Sequence, residues 1–329
     1  MNLNEFQIIQ NYFCNTLKKI DANVIQDIGD DCALITIPKN DTLAISTDTL
    51  IEGIHFYKNT HPTDLGYKII AINLSDLAAM GSKPKWITLS LNLPQINIRW
   101  IKYFSQSLFN TLRTYDMKLI GGNVAKGPLS ITVSVYGLVP KNRALLRKGA
   151  KIGDLIYVTG TLGDSAAGLF LLKNKLKNIK KDFKFLIKKH LHPIPRITHG
   201  QLLRDIANSA IDISDGLLTD LKQILKSSQC GANIYLEKLP VSKILKTNFT
   251  KKKWLNFATS SGEDYELCFT IPKKNVKILN STINHLGIPY NCIGEINHIK
   301  DGYNVLHYGR KTRFLYKGYD HFYQKINNY

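Results

Sequence analysis

The chain has no CxxC pair. Its five cysteines (Cys14, Cys32, Cys230, Cys268 and Cys292) are odd in number and widely spaced, which speaks against a zinc ribbon or a redox motif. Cys32 and Cys268 lie inside apolar runs and read as small buried side chains. Also missing are GxxxxGK[ST] and the HRD and DFG pair, so a P-loop nucleotidase and a protein kinase are excluded. Long apolar stretches are scarce. Uncharged apolar runs such as 86–98 and 128–140 are too short to cross a bilayer. The first twenty residues mix Glu5 and polar residues with apolar ones at helical spacing, unlike a secretion signal. No membrane association and a cytoplasmic location are expected. Acidic residues are few, 25 against 44 basic, for a net charge of +19. The lysines are dispersed, densest at 173–189 and 251–253. No aromatic and glycine interleaving, helix-turn-helix or finger spacing accompanies them, so a nucleic-acid partner is not expected. The stretch 173–189 reads as an exposed helix or loop, and the surplus charge favours phosphorylated substrates.

What is present suits an ordinary globular protein: 329 residues, 44% hydrophobic and 21% charged, enough for two domains with separate cores. Phe6, Ile9, Phe13, Leu17 and Ile20 form a helical stripe over 4–20. A Gly29-Asp30-Asp31 turn runs into a strand, and 43–47 reads as a short buried strand ending at Ser46-Thr47-Asp48. Asp64 is placed to cap a helix over 65–80, closed by Gly81. Strands are expected at 86–93 and 131–139, a helix at 97–115, and a short strand meeting a glycine turn at 119–123. Periodicity lapses over 147–154, placing the domains at 1–149 and 150–329. Beyond it, strand 155–159, a Gly160-x-x-Gly163 turn, helix 165–176, helix 198–208, strand 210–213, helix 217–227 and strands 232–236 and 266–271 follow. Alternating strands and helices in both halves indicate two α/β domains with mixed sheets.

The chemistry centres on acids at element ends: Asp30, Asp31, Asp48, Asp76, Asp212 and Asp215. Their apolar surroundings imply that several converge. Asp76 within an apolar helix needs a partner, because an unpaired buried carboxylate is costly. Carboxylates without His or Cys companions favour Mg²⁺, and the glycine turns at 121–122 and 160–163 offer N–H groups to phosphates. A Mg²⁺-dependent, phosphate-handling enzyme follows. Each residue also has a plainer reading: Thr47, Asp48, Asp212, Glu263 and Asp264 as turn or cap residues, His55 as a structural histidine, Arg147 as a surface cation.

Six blocks taken together resemble the thiamine-monophosphate kinase family: GDDCAL (29–34), STDTLIEGIHF (46–56), NLSDLAAMGSKP (73–84), GGNVAKGPLSITV (121–133), AIDISDGL (210–217) and GEDYELCFT (262–270). KGYDHF (317–322) resembles its C-terminal signature. The resemblance implies the two-domain architecture of aminoimidazole-ribotide synthetase relatives, with N-terminal sheets pairing in a homodimer. It implies direct in-line transfer of the ATP γ-phosphoryl group to thiamine monophosphate, with several Mg²⁺ ions. By position, Asp31, Ser46, Thr47, Asp48, Asp76, Asp212 and Asp215 become metal ligands, with Asp30 an additional one. Gly122, Arg147 and Ser214 become ATP contacts; His55, Glu263 and either Tyr316 or Tyr319 become substrate contacts. Asn123 departs from the family's usual Asp; its amide oxygen still serves metal and ATP but brings no charge, so weaker metal affinity is expected. Two competing functions are another ATP-dependent phosphate-activating reaction of the superfamily, and nucleotide or nucleic-acid binding with weakened catalysis.

Overall fold

Residues 83–93 and 130–140 alternate apolar with polar side chains, and each becomes an eleven-residue strand whose apolar side is buried. The computed structural model describes residues 4–14, 21–174 and 180–312. The chain divides into two compact units, Met1–Leu145 with Leu191–Asp205, and Leu146–His190 with Ile206–Tyr329. In place of a single cut after residue 149, residues 146–149 go with the second unit and 191–205 return to the first.

The first unit opens with α1 (Glu5–Tyr12), β1 (Val24–Gln26) and β2 (Leu34–Ile35), followed by β3 (Asp41–Ile51), α2 (Pro62–Ala79), β4 (Lys83–Leu93), α3 (Ile98–Thr114), β5 (Lys118–Lys126) and β6 (Ser130–Pro140). Its main sheet has the order β3-β6-β4-β5, antiparallel except for β4 with β5. One face, carrying Ile87, Leu89, Leu91, Ile131, Val133 and Val135, is buried; the other carries hydroxyls and amides, as one-sided burial of a sheet requires. α2 is apolar almost all round. Leu65, Ile69, Ile70, Leu74 and Leu77 are fully enclosed, each contributing about 1.5–3 kcal/mol.

Several expectations need correction here. β3 does not stop at Thr47 but pairs with β6 through Ile51, because Thr49 and Leu50 continue its alternation. It is an edge strand and not a buried one: Ile45 is 59% exposed. α2 is capped by His61, whose Nδ1 accepts from Thr63 N–H at 3.3 Å, while Asp64 lies in the first turn. Cys32 is exposed, whereas Cys268 is buried as expected.

The second unit comprises β7 (Leu155–Thr159), α4 (Asp164–Lys173) and α5 (Lys181–Leu191). After α6 (Ile197–Leu203), which belongs to the first unit, it continues with β8 (Ser209–Asp212), α7 (Leu217–Ser228), β9 (Gly231–Tyr235), α8 (Lys243–Asn248), α9 (Lys251–Ser260), β10 (Leu267–Ile271), α10 (Val276–Ile283), β11 (Tyr290–Asn297), β12 (Tyr303–His307) and β13 (Arg310–Lys311). Its seven-stranded sheet has the order β13-β12-β9-β11-β7-β10-β8 and is antiparallel except for β12 with β9. Among the described residues no helix is long and apolar enough to cross a membrane.

Candidate functional site

Strand alternation decides which of the first unit's candidates meet. Ser46 and Asp48 lie two apart on β3 and so share a face; their rows run through Val135 and Ile87, and through Val133 and Leu89, the buried side of the sheet. α2 crosses that side, and Ser46 Oγ donates to Asp76 Oδ2 at 2.5 Å. Burial first, and then the neighbouring charge of Asp76, push the Asp48 carboxyl up to about 7. The three residues form one oxygen-rich group in which two carboxylates repel each other.

Thr47 points the other way. Its hydroxyl meets Ser134 Oγ at 2.8 Å on the open face, beside the Thr49–Thr132 pair at 2.9 Å. Asn123 is exposed on the far edge strand, in the row of Ser90 and Thr132, and so on that same open face. Asp30 and Asp31 are both exposed, and Asp30 Oδ1 accepts the Asp31 N–H at 2.9 Å. His55 Nδ1 accepts from Ile51 N–H at 3.1 Å, closing the turn that follows β3. Gly121 and Gly122 are not a phosphate-cradling turn. They sit within β5, opposite a register shift in β4, and a Cβ on Gly122 would stand 1.9 Å from the Leu89 carbonyl oxygen.

In the second unit the 213–216 turn and the 262–266 stretch are joined along their backbones. Glu263 N–H donates to Ser214 O (2.8 Å), Tyr265 N–H to Ile213 O (2.9 Å) and Ile213 N–H to Glu266 O (2.8 Å). Ser214, Asp215 and Glu263 are thus neighbours, with Asp212 buried at the end of β8. Two residues of α7 that the sequence reading did not single out each organise a loop. Asp220, in the first turn of α7, accepts the N–H groups of Asp215 and Gly216 at 3.0 Å each. Burial and then the charge of Asp215 push Asp220 up to about 7. Its signal was available, since a carboxylate four residues after Gly216 lies at a helix N-terminus. Ser228, at the far end of α7, pins the loop of Arg147: its hydroxyl donates to Arg147 O at 3.2 Å and accepts the Gly149 and Ala150 N–H groups at 3.1 Å. Arg147 itself is exposed.

The 160–164 turn is also already filled. Gly163 N–H donates to both carboxylate oxygens of Asp264 (3.0 and 2.9 Å). The Glu266 carboxylate, held by Thr159 Oγ1 at 2.7 Å, occupies the space where a Cβ on Gly160 would stand. The N–H groups expected to hold phosphate there are taken internally, Gly163 by Asp264, Gly160 by Pro289 O at 2.7 Å and Leu162 by Pro240 O at 2.8 Å, and burial drives the Asp264 carboxyl far upward. Tyr316 and Tyr319 lie outside the described residues. Among the described residues, no three His, Cys, Asp or Glu side chains are gathered as a ready metal site. What the structure does offer is two repelling carboxylate pairs, Asp48 with Asp76 and Asp215 with Asp220. Their hard oxygens fit a divalent cation such as Mg²⁺.

Residues 29–139 match the N-terminal domain of the AIR synthase related protein family, and residues 151–303 its C-terminal domain. The thiamine-monophosphate kinase of Buchnera aphidicola (subsp. Acyrthosiphon pisum) is 56% identical over 324 residues, 98% of this chain and all of that one. The crystal structure of thiamine-monophosphate kinase from Stenotrophomonas maltophilia matches with a TM-score of 0.82 at 38% identity, covering 88% of this chain and 92% of the other. A structure of AaThiL complexed with AMPPCP and TMP matches with a TM-score of 0.77 at 34% identity, over 87% and 89% of the two chains. At such identity over nearly the full length, the chain belongs to the thiamine-monophosphate kinase family of AIR synthase related proteins.

Proposed function

We propose that the chain transfers the γ-phosphoryl group of ATP to the phosphate of thiamine monophosphate, giving thiamine diphosphate and ADP. The observation that carries this reading is the Asp48–Asp76 pair beside the Ser46 hydroxyl, in which burial and repulsion hold a proton near neutral pH. Two buried carboxylates close enough to repel, with a hydroxyl beside them, are chemically set for a cation. Ser46, Asp48 and Asp76 would hold Mg²⁺ in the first unit, and Asp212 and Asp215 in the second, with several ions in all. When bound, Mg²⁺ neutralises and aligns phosphate oxygens. The acceptor phosphate is already a nucleophile at neutral pH, so the chain need supply no strong base, and transfer is direct and in line.

Arg147 is proposed as a bidentate phosphate partner, with Gly122, Asn123 and Ser214 as further ATP contacts. Asp30, Asp31, Thr47 and Asn123 are proposed as outlying oxygen ligands. His55, Glu263, Tyr316 and Tyr319 are proposed to hold thiamine monophosphate. The long edge strand β3, with Ile45 exposed, supports pairing with a second copy, since natural proteins rarely leave such an edge open. We place the homodimer in the cytoplasm.

Purified protein with ATP, Mg²⁺ and thiamine monophosphate should yield thiamine diphosphate and ADP one for one, with the yield abolished by EDTA. ATP binding without turnover, or turnover indifferent to EDTA, overturns the proposal. Sedimentation should give twice the chain mass of 37.2 kDa.

A further inference from the structure

Within the second unit, the lysine-rich α5 carries one imidazole inward. A Cβ on Gly168 would stand 2.2 Å from Leu186 O and 3.0 Å from His190 Cβ, so α4 and α5 touch at backbone distance. That contact sets His190, buried, beside Ser165, one turn earlier on α4. His190 Nδ1 lies 3.2 Å from Ser165 Oγ and 3.3 Å from Glu263 Oε2. The Glu263 side chain is 27% exposed, so it is in part accessible to solvent. Its backbone is strained: Glu263 has φ of +57° and Tyr265 φ of +51°, a region that residues other than glycine seldom adopt. With its proton on Nδ1, the imidazole has two acceptors in reach, Ser165 Oγ and the Glu263 carboxylate, which when ionised can only accept.

We infer that His190 is a positioning residue whose Nδ1–H fixes the Glu263 carboxylate, and through it the affinity for thiamine monophosphate, without touching the substrate. This rests on the proposed role of Glu263 as a substrate contact. Apolar packing alone would not require a nitrogen at that place. The distinction is testable because the Asn amide nitrogen reaches the Nδ1 position, whereas the Gln amide reaches the Nε2 position.

The experiment is steady-state kinetics on the full chain with E263Q, H190N, H190Q, S165A and the double variant H190Q/E263Q. E263Q and H190Q should each raise KM for thiamine monophosphate about tenfold, the effect of losing one charge-assisted hydrogen bond. KM for ATP should not change and kcat should stay within about twofold. H190N and S165A should keep a KM near that of the parent, and the double variant should match E263Q alone, as for two residues acting through one contact. KM does not depend on the folded fraction, so partial misfolding cannot imitate this pattern. If E263Q leaves KM unchanged, the substrate role of Glu263 falls and this inference with it. If E263Q raises KM but H190Q does not, His190 has no positioning role while the Glu263 reading stands. The positioning role fails in the same way if H190N is as impaired as H190Q, if S165A raises KM tenfold, or if the effects multiply in the double variant.

Discussion

Asp48 is disfavoured in its ionised form twice over, by burial and by Asp76, and its carboxyl moves from 3.8 to about 7. The folded protein therefore binds a proton that the unfolded chain has already lost. The associated stability is complete below the unfolded value and disappears as pH rises through about 7. Asp220 behaves alike, through burial and Asp215. The metal-free protein should accordingly melt at a higher temperature at pH 5 than at pH 8, and Mg²⁺ should restore part of the loss at pH 8. Asp48→Asn removes both the repulsion and the titration. Its melting temperature in EDTA at pH 8 should rise, by about 2–4 °C per kcal/mol of relieved repulsion. Its activity should fall by about a hundredfold or more, the scale of losing a metal ligand. Melting curves over pH 5–8 with EDTA or Mg²⁺ check both; a variant less stable than the parent at pH 8 would refute the repulsion.

At the scale of elements, the paired glycines show what a single strand conceals. Gly121-Gly122 reads as a turn because glycine is common in turns, yet the neighbouring β4 fixes its geometry. A Cβ at Gly121 would find only Thr88 Cγ2, at 3.7 Å, whereas one at Gly122 would collide with Leu89 backbone, and φ is +151°. Gly121→Ala should therefore cost less than about 1 kcal/mol, while Gly122→Ala should cost roughly 3 kcal/mol or more in urea unfolding. Equal costs would mean that β5 can shift to make room. The same lesson holds for the 160–164 turn. Its shape was visible in the two glycines, but its occupants, Asp264 and Glu266, come from about a hundred residues away. Strand alternation was legible at one point where the resemblance did not follow it: period two puts Ser46 and Asp48 on one face and Thr47 on the other, although all three were expected as metal ligands. Asp76 needing a partner was likewise foreseeable from its apolar helix, and Ser46 supplies one.

For the molecule as a whole, alternating strands and helices announced two α/β parts, but not the return of 191–205 to the first. That return is held by tertiary contacts that no local pattern encodes: His192 Nε2 on Asp64 at 2.7 Å, Tyr67 stacked on His192 with its hydroxyl on Pro193 O, and Arg143 on Asp205. Charge is different, because it is a property of the whole chain and is read directly. With 44 basic and 25 acidic residues, the chain carries a net charge of +19, while the side chains proposed to hold Mg²⁺ are mostly acids. Those acids would repel nucleotide and thiamine phosphates at close range until cations screen them, so attraction at long range falls to the dispersed lysines. Such steering acts over a Debye length of about 10 Å at 0.1 M salt and about 3 Å at 1 M. It alters encounter more than chemistry. Raising NaCl from about 50 to about 300 mM at constant free Mg²⁺ should lower kcat/KM for both substrates severalfold, while kcat stays within about twofold. A kcat/KM flat across that range would mean that the lysines only solvate the surface, and that the cations alone draw the anions in.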